Sequence, residues 1–181
     1  MKKLLFLLVL LFSLNIIYAQ NRFLGTKSYP TTGIWRFKNA DNPKVGSLAY
    51  IEYSEISIAK NNNSGMFIIS TGVYSQETKL VGPVIVYFQN GKALSINIIK
   101  SRDYSDGNAT AIFLLSPIQI KEFMKSDIIS IRYNKNFMGI SPEGITTFNS
   151  YEKFEGMNSY GLPYYSNQVN NTMLDVQVLF N

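Results

Sequence analysis

Asn90-Gly91 stands between two β-like runs, and no other local signal in the chain constrains the fold as strongly. Asn-Gly favours a two-residue type I′ hairpin, because both central residues of that turn need positive φ. Val84 to Phe88 lead into the turn. In the following arm, Lys92 to Lys100, Leu94, Ile96 and Ile98 alternate with Ser95 and Asn97, which predicts one buried and one wet face.

Similar patterns recur along the chain. Gly33 to Phe37 reads as a short strand with Ile34 and Phe37 on opposite faces, so the placement of Trp35 decides which face is buried. Asn39 to Lys44 is a turn cluster around Asp41-Asn42-Pro43. Leu48 to Tyr53 and Glu55 to Lys60 carry Tyr and Ile at strand density, and Asn61 to Gly65 reads as a five-residue hairpin loop leading to a partner over Met66 to Tyr74. Thr110 to Leu115, Ile128 to Tyr133 and Ile145 to Phe148 are further strands, with Ile129, Ile131 and Tyr133 expected on one side. At the C-terminus Leu174, Val176, Val178 and Phe180 alternate, which predicts a closing strand. Asn21 to Thr32 reads as a polar lead-in, and Ser101 to Asn108 as a polar loop with Asp106-Gly107 at its tip.

One helix interrupts this pattern near residues 117–125. Ser116 stands at the N-cap, Pro117 at the first helical position and Gln119 at the capping-box position, after which Ile120, Phe123 and Met124 share a face. Its link between two strands is long enough for a parallel crossover and equally suits a plug at the end of a sandwich. Ser150 to Glu155 predicts one helical turn stopped by Gly156. Nine or ten short strands with Gly and Asn turns define the expected class: all-β, a mainly antiparallel sandwich or barrel with one short helix.

The N-terminus speaks to location. Lys2 and Lys3 precede an apolar run from Leu4 to Ile17, broken only by Ser13 and Asn15, and Ile17-Tyr18-Ala19 reads as a cleavage site with the small Ala19 before Gln20. This is the layout of a secretory signal peptide, and the 14-residue run is shorter than the ~20 residues a spanning helix needs. The expected organisation is a signal over residues 1–19 and a single β-rich domain over residues 20–181, exported to the periplasm or beyond the cell, with no transmembrane segment in the mature chain. Loss of Lys2 and Lys3 leaves 15 basic against 12 acidic residues, a net charge of +3. The basic residues are scattered, so nucleic acid is not an expected partner.

The chain contains no Cys and no His. Disulfide stapling, Cys/His zinc sites, and Ser-His-Asp or Cys-His nucleophiles are therefore excluded. No catalytic residue, metal site or cofactor is expected. Two S-x-x-K matches, Ser57 to Lys60 and Ser150 to Lys153, lack the companion motifs of Ser-Lys acylating enzymes. Asp103 to Asn108 clusters oxygens without matching a calcium loop. Glu52 and Glu55 have an odd spacing that sends them to opposite faces of a strand. Sequons begin at Asn62, Asn108 and Asn170 in expected loops.

Residues 148–165 hold Phe148, Tyr151, Phe154, Tyr160, Tyr164 and Tyr165, six aromatics in 18 positions, a density that singles the segment out. Large side chains usually bury, so the rings are expected to cap the open end of the core. If the protein binds a ligand, Tyr160, Tyr164 and Tyr165 are the expected anchors, because Tyr joins an apolar ring to a polar tip. The functional expectation is a non-enzymatic binding or envelope-associated module for a protein, peptide or glycan. The alternative is a carboxylate-dependent hydrolase of polysaccharide or cell-wall material, which needs two converging acidic side chains.

Overall fold

Period-two burial organises most of the chain into antiparallel strands. The computed structural model describes residues 20–24, 26–40, 53–73, 76–137 and 142–181. The signal segment, the Asp41-Asn42-Pro43 turn, Glu52 and most of the strand expected from Leu48 lie outside the described residues. Thirteen strands and two helices are present among the rest. They are β1 (Gln20–Leu24), β2 (Lys27–Thr31), β3 (Trp35–Asn39), β4 (Tyr53–Asn61), β5 (Ser64–Gly72), β6 (Thr78–Phe88), β7 (Ala93–Ile96), β8 (Ile99–Ser105), β9 (Asn108–Leu115), β10 (Ile128–Phe137), β11 (Glu143–Phe148), β12 (Tyr151–Met157) and β13 (Pro163–Gln168), with helices α1 (Pro117–Phe123) and α2 (Thr172–Phe180).

The main sheet runs β7-β6-β10-β11-β3-β4-β5-β9-β8. Its two ends, β7 and β8, are halves of one stretch of chain that bends at Asn97-Ile98. The first half pairs with β6 and the second with β9. Such a bend lets a strand leave one leaf and join the other. The result is an all-β sandwich whose leaves meet again at β11 and β3 through only two residue pairs, Thr147 with Asn39 and Phe148 with Lys38. Trp35, Phe37, Ile56, Ile58, Phe67, Ile69, Val84, Val86, Ala111, Phe113, Ile131 and Tyr133 fill the space between the leaves. The predicted capping box of α1 is in place, with Ser116 Oγ accepting from Gln119 N and Gln119 Oε1 accepting from Ser116 N. The helix plugs one end of the sandwich and is no crossover between neighbouring strands. Its Phe123 ring packs against Phe67 of β5 at 5.7 Å and Phe88 of β6 at 5.2 Å, joining the two leaves.

Several local expectations are corrected. The C-terminal segment is the helix α2, not a closing strand. Its buried residues, Thr172, Val176 and Leu179, follow a helical period, while Leu174 and Val178 are exposed. Four contacts from elsewhere pin it down. Asp127 Oδ1 accepts from Met173 N at 2.8 Å, Asp175 Oδ2 from Trp35 Nε1 at 2.7 Å, Met124 O from Gln177 Nε2 at 2.7 Å and Leu179 O from Lys60 Nζ at 3.0 Å. An acid at a helix start and a cation at its end suit the helix dipole.

Ser150 precedes β12 and residues 151–155 are its first five, so the segment forms no helical turn. Residues 21–32 are a hairpin, β1–β2, whose Leu24 and Tyr29 pack on Ala59, Met66, Ile68 and Ile112 on the outer face of the sheet. The loop after Asn61 is a two-residue turn, since Asn61 pairs with Ser64. Ser101 to Ser105 continue β8 as a strand exposed on both faces. Ile98 is 63% exposed because it sits at the bend, whereas Ile96 is fully buried. Ile129 is also exposed, because a bulge between Ile128 and Ser130 rotates it out of register with Ile131 and Tyr133.

The Asn90-Gly91 hairpin forms where expected, with different turn chemistry. Gly91 N donates to Phe88 O, Phe88 N donates to Lys92 O, and positive φ falls on Gly91 (82°) and not on Asn90. This is a type I turn closed by a left-handed glycine, a three-residue loop. The type I′ pair is Asp106-Gly107, with φ of 50° and 76°, between Ser105 and Asn108. Gly91→Val is expected to cost about 1 kcal/mol or more, because a β-branched residue resists positive φ even though nothing crowds the position. An unchanged denaturation midpoint would contradict that turn geometry.

Candidate functional site

β12 and β13 form a two-stranded sheet of their own, outside the main sheet. β12 is the inner strand. Lys38 N of β3 donates to Ser150 O at 3.1 Å, Lys38 Nζ pairs with Glu152 at 2.9 Å, and Glu152 N donates to the Tyr53 hydroxyl. The hydrogen bond to Glu152 raises the Lys38 pKa above its ordinary value. These links tie the base of the hairpin to the sandwich.

The turn of the hairpin repeats the three-residue pattern of residues 88–92. Gly161 N donates to Asn158 O, and Asn158 N donates to Leu162 O. The Asn158 carboxamide oxygen accepts from both Tyr160 N and Leu162 N, at 2.9 and 3.0 Å. A side chain that bonds the backbone two residues on is an Asx turn. It holds the tip in one shape and presents Tyr160, 87% exposed.

Register places Phe154 opposite Tyr165, and their rings meet edge to face at 5.8 Å. Tyr164 lies opposite Gly156 and next in sequence to Tyr165, so it belongs to the other face of the ribbon. Tyr164 and Tyr165 are each about half exposed, as are Phe148 and Phe154. The structure therefore gathers Tyr160, Tyr164 and Tyr165 on one hairpin but does not converge them on one face. It also corrects the core-capping expectation: none of these rings belongs to the buried core, to which α1 and α2, packed side by side, contribute Ile120, Phe123, Val176 and Leu179. Met157 and Leu162 are exposed beside them. Sequence reading passed over Asn158; the Asn-x-x-Gly spacing to Gly161 was the available signal.

Charge on the hairpin is compensated locally. Lys153 lies 3.5 Å from Glu155, and Ser166 Oγ donates to Glu155 at 2.6 Å. The Ser166 hydrogen bond, aided by Lys153, holds the Glu155 pKa below the usual carboxylate value. From Gly156 to Leu174 the chain has no charged residue.

The other candidates separate. Ser57 is buried and receives a hydrogen bond from Arg22, whereas Lys60 reaches Leu179 O and the Phe180 ring, so they form no Ser-Lys pair. Ser150 precedes a strand and caps no helix, and its S-x-x-K partner Lys153 is the residue beside Glu155. Asp103 and Asp106 bind their neighbours Tyr104 N and Ser105 Oγ, and no group of three His, Cys, Asp or Glu is placed for a metal among the described residues. Glu55 faces Arg36 at 3.7 Å. Of the sequon residues, Asn62 and Asn108 are exposed, while the Asn170 carboxamide is bonded to Asn149 and to Arg36 O. An open cleft of about 330 Å³ lies between β6 and β8, lined by residues that include Lys79, Leu80, Arg102 and Tyr104, and Arg102 Nε bridges it to Leu80 O. Among the described residues, no helix is long and apolar enough to cross a membrane.

No protein-family model, curated protein or solved structure matches this chain.

Proposed function

We propose that this chain is an exported, non-enzymatic binding module, periplasmic or extracellular, that holds a protein, peptide or envelope glycan through the β12–β13 hairpin. The observation that supports this reading is the exposure of Tyr160, Tyr164 and Tyr165 on a hairpin that lies outside the main sheet and is tied to it at its base. Large rings displayed on a fixed backbone supply contact area at little cost in conformational entropy. The surrounding Asn, Ser and Gln side chains supply uncharged hydrogen-bonding groups. The N-terminal segment, with its basic start, short apolar run and small residue before Gln20, supports export.

The test is a Tyr160→Ala, Tyr164→Ala, Tyr165→Ala variant, assayed for thermal stability and for capture of envelope proteins and of purified envelope glycan in separate arms. Thermal stability is expected to barely move, because the rings are outside the core. Capture in one arm is expected to weaken, since truncating a true anchor costs about 2 kcal/mol or more. A loss of stability with capture intact would retire the proposal.

A further inference from the structure

We propose that β13 is a docking edge for a second copy of this chain, so that two hairpins join side by side into one four-stranded antiparallel sheet. β12 faces β3 at its base, which leaves β13 as the outer strand, paired on one side only among the described residues. Exposed edges are normally blunted by charge, bulges or proline. β12 carries a bulge at Glu155 and three charged residues. β8, another strand paired on one side only, carries Lys100, Arg102 and Asp103. β13 has none of these devices beyond Pro163 at its first position, and the stretch from Tyr164 to Gln168 is uncharged.

Electrostatics select the same place. The chain is cationic, and like charges oppose the approach of two copies elsewhere on the surface. The 19 residues from Gly156 to Leu174 bear no charge, so copies meet there without that repulsion. Strand number argues the same way. A two-stranded ribbon is marginal alone, and three or more strands are needed for independent stability. Antiparallel pairing of β13 with itself about a two-fold axis supplies them, with the same residues contributing on both sides. In the register that sets Tyr165 opposite its own counterpart, Tyr164 lies opposite Ser166 and diagonal to the other Tyr164 on the second face, within reach of cross-strand aromatic contact. The edge carries this proposal, whereas the ligand reading rests on the faces and the tip, so either can fail alone.

The absence of native Cys makes the test direct. Sedimentation equilibrium of the purified chain is run from micromolar to about 0.1 mM. In parallel, single-cysteine variants Tyr164→Cys, Tyr165→Cys, Ser166→Cys, Asn167→Cys and Gln168→Cys are oxidised mildly and compared with Ile118→Cys, an exposed position on α1. Thiols held across a strand pair meet at an effective concentration of about millimolar. The expected result is a dimer, with at least one β13 position cross-linking about tenfold or more faster than Ile118→Cys, as that local concentration implies. A monomer at every concentration, or β13 cross-linking no faster than the control, overturns the proposal.

Discussion

Trp35→Ala is expected to lower stability by about 3–5 kcal/mol, the cost of deleting a large buried ring. Trp35 is 2% exposed, lies beside Phe37 on the inner face of β3, and donates its indole N–H to Asp175. The substitution opens a cavity and also removes a strut between the sandwich and α2. The Trp35→Phe variant separates the two effects: it keeps most of the packing and loses the donor, so about 1–3 kcal/mol is expected from the partner left unpaired. Denaturant unfolding followed by circular dichroism suits the test, because the chain has no second Trp to report by fluorescence. An Ala variant with an unchanged midpoint would contradict the placement of Trp35 in the core.

Ile96→Ala is expected to cost about 2–5 kcal/mol, while Ser95→Ala should be nearly neutral. Ile96 is fully buried opposite Val84, and Ser95 is exposed with its hydroxyl bonded to Asn97. The pair is a register test. A slip of one residue exchanges the faces of a strand, so reversed effects would place β7 one position away.

The faces of β7 were legible because alternation of apolar and polar residues is a local property. The same holds for α1, whose Ser116, Pro117 and Gln119 carry the whole capping signal within four positions. The all-β class followed from many such short patterns. Corrections arose where a local pattern admits two answers. The segment Thr172 to Phe180 satisfies a period of two through Leu174, Val176, Val178 and Phe180, and a helical period through Thr172, Val176 and Leu179. Its own residues do not decide between them. Asp127, Trp35, Met124 and Lys60, all distant in sequence, do so by capping and anchoring a helix.

The hairpin repeats that lesson. Aromatic density marked residues 148–165, and Tyr160, Tyr164 and Tyr165 within them, but density alone is equally consistent with a buried cap and an exposed surface. Burial is settled by tertiary packing, and here residues of α1 and α2 join the core while the hairpin pairs outside the main sheet. Strand alternation, the capped helix, the exclusion of Cys and His chemistry and the aromatic segment are readable without a fold, because each is written in neighbouring residues or in composition. The bend at Asn97-Ile98, the helical state of residues 172–180 and the exposure of the tyrosines are set by long-range packing, because each depends on which partner competes successfully for the same surface.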